Sequence, residues 1–320
     1  MPRQSYIWTD AGAPQLSGTV GSGLTWLRAL LVGSGGIAYG SKPALGWTEE
    51  YTGTNEACFR NSMAEGGSGC YLQVLDTNAT YTQIRMYESM ADLTTGTAPT
   101  AQYLIQKSST ANGTPRPWQL EGSGVRFFTT VLGGHTENPA PVANYLGWTT
   151  LAGGGNYKSY YPGDPAVFCT GRGSAGEWVE SGPLAYSGSV NLTAPSGVYT
   201  TVTRNNALGM SQAAADGAIL THRTPASGSY GGSGAILPSP GSGALGNQYV
   251  PFILMTASAV RGHIPGLFVP LNSIMATKSI IGDTDTPIAT ASPRTLRIMG
   301  SGYCASTIGL LAFDSGEWDA

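Results

Sequence analysis

Glycine and proline together make up roughly a fifth of this chain, 46 and 20 of its 320 residues, against a typical share of about 12%. In a helix interior glycine costs about 1 kcal/mol and proline about 3 kcal/mol relative to alanine, so long helices cannot be the main architecture. Hydrophobic residues at 41% still supply enough apolar surface to offset the entropy of ordering a backbone. The chain should therefore fold, and its length suits one large or two ordinary domains.

One helix is predicted. Over Thr19–Val32, the residues Val20, Leu24, Leu27, Leu30 and Leu31 recur at three- and four-residue spacing, and Gly33 follows as a stop. Beyond it the pattern turns to short extended runs. Cys70, Leu72 and Val74 share one strand face, Ile84 and Met86 share one face of Tyr81–Glu88, and Asp76-Thr77-Asn78 forms the turn of a hairpin or meander. Similar runs recur at Ala101–Gln106, Val125–Leu132, Ala166–Thr170, Val198–Thr203, Val250–Thr256, Leu267–Leu271, Thr295–Met299 and Tyr303–Phe313. Gly66–Gly69 and Gly153–Gly155 read as hairpin connections. The expected fold is mainly β: antiparallel sandwich or barrel-like lobes, one N-terminal amphipathic helix and long Gly-rich loops. The pair Gly46-Trp47-Thr48 and Gly147-Trp148-Thr149 hints at two related lobes. Residues 1–140 would hold the helix and a first β lobe, and residues 141–320 a second lobe. The segment Ala226–Asn247, with seven glycines, reads as an interdomain linker or, preferably, an arm laid across a neighbouring subunit. The apolar Ala235, Ile236 and Leu237 at its middle suit an arm that docks.

Charge narrows the partners. Sixteen Lys and Arg face nineteen Asp and Glu, a net charge of -3, and charged residues are only 11% of the chain, against about 25% in an ordinary soluble domain. The lysines are scattered at Lys42, Lys107, Lys158 and Lys278, so no direct nucleic-acid contact is expected. The opening MPRQSYIWTD has no basic stretch and apolar core of a secretory signal. The longest apolar stretches, around Leu24–Val32 and Val250–Val260, fall short of the roughly 20 residues a membrane span needs. No membrane insertion is expected.

Patterns that carry chemistry are sparse. Cys58, Cys70, Cys169 and Cys304 lack metal or redox spacing and read as buried small hydrophobes. His135, His222 and His263 are far apart, with no H-E-x-x-H. G-x-S-x-G and Gly-Lys-Ser/Thr are absent. Gly171–Gly176 and Gly241–Gly246 both satisfy G-x-G-x-x-G, but neither is followed by the helix whose N-terminus would hold a pyrophosphate. Asp283-Thr284-Asp285-Thr286 reads as an Asx-turn rather than a cation loop. Sequons begin at Asn78, Asn112 and Asn191 and read as incidental. No catalytic residue, cofactor or metal is expected, and the chain is not read as an enzyme.

Seven tryptophans and sixteen tyrosines offer anchors for protein interfaces, where aromatics are enriched and charges depleted. A subunit locked into an assembly does not need the heavily charged surface of a free monomer. The candidate interface residues are Ala235, Ile236, Leu237, Trp118, Trp178, Tyr160 and Tyr161.

Several stretches support a more specific reading: YIWTDAGAPQLSGTVGSGLTWLRALLV at Tyr6–Val32, GWTEEYTGTNEACFRN at Gly46–Asn61, IRMYESMADLTTGT at Ile84–Thr97, VRGHIPGLFVPL at Val260–Leu271 and GLLAFDSGEW at Gly309–Trp318. In these the chain resembles a family of virion structural proteins of tailed bacteriophages of Gram-negative hosts. The resemblance covers under a third of the residues but runs in order along the whole length. It implies a non-enzymatic virion component, assembled in the host cytoplasm as a symmetric homo-oligomer with other virion proteins as partners. A tail-tip or baseplate position comes first and a head-surface or decoration role second. A receptor- or glycan-binding adhesin, with a host surface glycan as partner, is the alternative from another class, and a depolymerising hydrolase on a β scaffold is the third.

Overall fold

The computed structural model describes residues 3–100, 102–132, 149–164 and 166–171, together with seven strands between residues 191 and 314. In chain order the first elements are β1 (Gln4–Ile7), α1 (Ser22–Leu31), β2 (Ile37–Tyr39), β3 (Lys42–Pro43), β4 (Thr48–Gly53), β5 (Glu56–Arg60), β6 (Tyr71–Leu75), β7 (Tyr81–Tyr87), β8 (Ser89–Met90), β9 (Gly96–Thr97), β10 (Tyr103–Gln106), β11 (Trp118–Gly122) and β12 (Arg126–Leu132). There follow β13 (Thr149–Asn156), β14 (Lys158–Ser159), β15 (Val167–Thr170), β16 (Asn191–Thr193), β17 (Tyr199–Thr201), β18 (Ala218–Leu220), β19 (Tyr249–Met255), β20 (Val260–Pro270), β21 (Leu296–Gly300) and β22 (Leu310–Asp314). The fold is mainly β and antiparallel, with an N-terminal helix. No helix among the described residues is long and apolar enough to cross a membrane.

Three sheets carry the architecture. A seven-stranded sheet has the order β1-β11-β12-β13-β15-β16-β17, a five-stranded one β10-β7-β6-β5-β4, and a third β18-β19-β20-β22-β21 with β14 added to β20. The first two meet across one core, because each alternates apolar residues to one face. Trp118, Leu120, Phe127 and Val131 come from one sheet, and Phe59, Leu72, Val74, Ile84 and Met86 from the other. Leu24, Trp26, Leu27, Leu30 and Leu31 of α1 join the same core.

The helix is shorter than its apolar pattern predicts. Gly21 sits at φ 80 in the left-handed region, so helical geometry begins only at Ser22, and Val20 is left outside it, 49% exposed. At the other end Gly33 stops the helix as expected, with φ +68 and its N–H donating to the Arg28 carbonyl. β6 and β7 form the expected hairpin, with Val74 opposite Ile84, and Asn78 closes it by accepting from the Thr80 N–H at 2.8 Å. Gly66–Gly69 lies in the connection from β5 to β6, as expected.

One expectation needs correction. Gly153–Gly155 is not a hairpin connection: it is the middle of β13, flanked by β12 and β15. Phe128 lies opposite Gly153 and Phe168 opposite Gly155, and their rings stack at 5.4 Å; the Phe128 ring comes within 2.9 Å of where a Gly153 Cβ would stand. β12 pairs with β13 from Arg126↔Gly155 to Leu132↔Thr149, across the expected boundary at residue 140. A strand ladder binds both sides of that boundary.

Candidate interaction surface

The segment after β13 reverses direction through Tyr157–Asp164 and is fixed by a single carboxylate. Asp164 Oδ2 accepts from the Tyr157 hydroxyl at 2.8 Å and from the Ser159 hydroxyl at 3.0 Å, while Oδ1 accepts from the Ala166 N–H at 3.0 Å. The Ser159 hydroxyl oxygen in turn accepts from the Tyr161 N–H at 3.0 Å. Short polar side chains followed by Pro162 and Gly163 favour such a turn locally. β14 adds to β20 with Lys158 opposite His263 and Ser159 opposite Gly262. That approach requires glycine, since a Cβ at Gly262 would stand 2.1 Å from the Lys158 carbonyl oxygen.

The turn holds Tyr160 and Tyr161 outward, 55% and 41% exposed. The Tyr160 ring packs against His263 with centroids 5.5 Å apart. A large ring held in place by its own backbone loses little further freedom when a partner covers it. Two of the predicted interface residues, Tyr160 and Tyr161, are thus exposed side by side on this turn. The structure removes a third: Trp118 is fully buried, packs edge-on against Trp26 at 5.6 Å and donates its indole N–H to the Pro14 carbonyl at 3.1 Å. Its neighbours in β11 alternate with the core of the two sheets, so Trp118 belongs to the interior rather than to an interface. Trp178, Ala235, Ile236, Leu237 and the whole arm at 226–247 lie outside the described residues, as do His135, His222, Cys304, Asp283 and Asp285.

The outward face of the five-stranded sheet adds aromatic surface that the sequence reading passed over. Tyr51 and Tyr71 stack at 6.3 Å, and the Arg60 guanidinium lies 5.6 Å from the Tyr71 ring. The signal was present in β6, where Tyr71 and Gln73 alternate with the buried Leu72 and Val74. What could not be read was that β4, beyond β5 in the sheet, brings Tyr51 to Tyr71.

Some of the few charges lie inside. Asp76, Lys107, Arg116, Glu121 and Arg126 are buried. Lys107 pairs with Asp76, and Arg3 lies 3.4 Å from Glu121. Nearer the surface, Arg28 makes a bidentate pair with Glu49 at 2.7 and 2.8 Å. Asp10 accepts from Lys42 and from the Tyr39 hydroxyl, each at 2.5 Å. Burial raises the Asp10 pKa, but the hydrogen bonds from Lys42 and Tyr39 outweigh it and hold the group below the usual carboxylate range. The folded pKa lies below the unfolded one, so this contribution is present above the unfolded value of about 3.9 and lost as pH falls through the folded one. Asp10→Asn should lower the melting temperature at neutral pH and leave it almost unchanged near pH 2, measured by circular dichroism.

Cys58, Cys70 and Cys169 are free thiols, all buried. Burial is the largest influence on each and pushes each up to about 12, so they stay protonated and unreactive at neutral pH. Among the described residues no group of three or more His, Cys, Asp or Glu side chains is placed to hold a metal ion.

No known family model matches the chain, and no curated protein matches it.

Proposed function

We propose that the protein is a structural subunit of a tailed-bacteriophage virion that associates with copies of itself and with other virion proteins, most naturally at the tail tip or baseplate. The observation that carries self-association is the fate of its charges. A chain with 11% charged residues encloses Asp76, Lys107, Arg116, Glu121 and Arg126, which leaves its exterior poorer still in the ionic groups that keep a free monomer dispersed. The exposed Tyr160 and Tyr161 supply rigid aromatic anchors on that exterior. The virion assignment is supported by the resemblance of five ordered segments. These segments contain α1, β4, β5, β8, β9, β20 and β22 and parts of β1 and β7.

Light scattering of the purified full-length protein tests the assembly. The wild type should have a mass several times that of one chain. Tyr160→Ser combined with Tyr161→Ser should shift it toward one chain while moving unfolding stability by less than about 0.5 kcal/mol. A wild type that stays a single chain at every concentration overturns the proposal. Immunogold labelling of particles tests the position: label at the tail end supports baseplate placement, and label over the head moves it to the capsid surface. Binding of host lipopolysaccharide by Tyr160 and Tyr161 in an otherwise monomeric protein would favour the adhesin reading instead.

A further inference from the structure

The geometry points to an intramolecular isopeptide bond between Asp76 and Lys107, formed by condensation of the Asp76 carboxyl group with the Lys107 amine inside the folded core. The two side chains touch through Oδ1 and Nζ, and both have 0% exposure. Lys107 Nζ also donates to the Thr19 carbonyl at 2.6 Å. Asp76 Oδ1 accepts from the Thr82 hydroxyl at 2.9 Å, and Oδ2 accepts from the N–H groups of Gly23 and Leu24 at 2.7 and 3.0 Å. Nothing about the pair is local in sequence: β10 brings Lys107 to the turn between β6 and β7, and α1 brings its first turn to the same carboxyl group.

An ammonium and a carboxylate do not condense readily in water, because hydration holds both as ions. Here hydration is gone, and a dry pocket penalises two ions far more than a neutral amine and a neutral acid. Burial lowers the Lys107 pKa, against the opposing effect of Asp76. The reaction starts with transfer of one proton from Nζ to Oδ1 along the hydrogen bond they share, which frees the amine lone pair for attack.

The step balances without any other reactant. The Nζ–Cγ bond forms, and the carbonyl electron pair moves onto Oδ2. That oxygen, which gains a full negative charge, is the one held by the Gly23 and Leu24 N–H groups at the positive end of α1. Such donors stabilise the tetrahedral intermediate more than the neutral acid. The intermediate collapses with cleavage of Cγ–Oδ1. Oδ1 leaves as water, carrying the proton it received first and a second one from Nζ, passed directly or through the Thr82 hydroxyl. The products are a secondary amide and one water. The amide N–H keeps the Thr19 carbonyl as its acceptor, and the amide oxygen keeps both backbone donors. The pocket's hydrogen-bonding groups suit the neutral amide, which has no charge left to desolvate.

The test is the intact mass of the denatured full-length wild type. It should lie about 18 Da, one water, below the mass of its sequence after any loss of Met1. A trypsin digest should show residues 61–85 joined to the peptide that contains Lys107, with no cleavage after Lys107. Lys107→Arg and Asp76→Ala should each carry the full mass of their sequence and release residues 61–85 as a free peptide, whether or not they fold well. A wild type with its full sequence mass and a free 61–85 peptide overturns the proposal and leaves the pair ionic.

Discussion

Asp76→Ala should unfold at a far lower denaturant concentration than the wild type, a loss of about 3–5 kcal/mol from the stranded charge and about 1 kcal/mol more from the lost cap. Against a total stability of about 5–15 kcal/mol, that is a large share. The loss has two separable parts. The N-cap position before α1 is Gly21, which has no side chain to cap the helix, and Asp76 does the work from 53 residues away by accepting from the Gly23 N–H. The same carboxyl group answers Lys107, whose amine has no water in reach. Joined or ion-paired in the wild type, the Lys107 amine is left buried without its carboxylate once Asp76 is gone, with the Thr19 carbonyl still beside it. Asp76→Leu combined with Lys107→Met should therefore recover most of the charge-related loss, but not the share due to the cap. Urea unfolding followed by tryptophan fluorescence measures all three proteins. A single variant within about 1 kcal/mol of the wild type would show that the pair and the cap contribute little.

Gly155→Val should cost more than about 3 kcal/mol, combining backbone strain with overpacking. Gly155 sits at φ +131, where side chains are rarely found, and a Cβ there would stand 2.4 Å from the Val125 carbonyl oxygen and 2.6 Å from Arg126 Cα. Both contacts are to backbone, so no rotamer change relieves them. Gly35→Ala is the control: φ is +59 there, but a Cβ meets nothing within 4 Å, so only the modest cost of a left-handed residue, about 1–2 kcal/mol, should remain. Equal losses in the two variants would mean that the glycine triplet of β13 is not closely packed.

Much of the fold was legible because hydrophobic period is a local property. The alternation of Cys70, Leu72 and Val74 placed β6, and the spacing of Leu24, Leu27, Leu30 and Leu31 placed α1. Gly153–Gly155 misled because three glycines in a row carry no period at all. Their strand character comes from Phe128 and Phe168 on neighbouring strands. Trp118 misled for a related reason: an aromatic residue suits a core and an interface equally well until the facing helix is known. Of the proposed surface, the composition foretold scarce charge and abundant tyrosine, but not that Asp164 would fasten Tyr160 and Tyr161 outward.

What the amino-acid order settled alone is the β-rich architecture, the N-terminal amphipathic helix and the shortage of ionic groups, since all three follow from composition and short-range spacing. The meeting of Asp76, Lys107, Thr82 and the first turn of α1 belongs to the tertiary structure only. Hydrogen bonding and desolvation act over about 3 Å, and residues 23, 76, 82 and 107 come within that distance only after the sheet has closed against the helix.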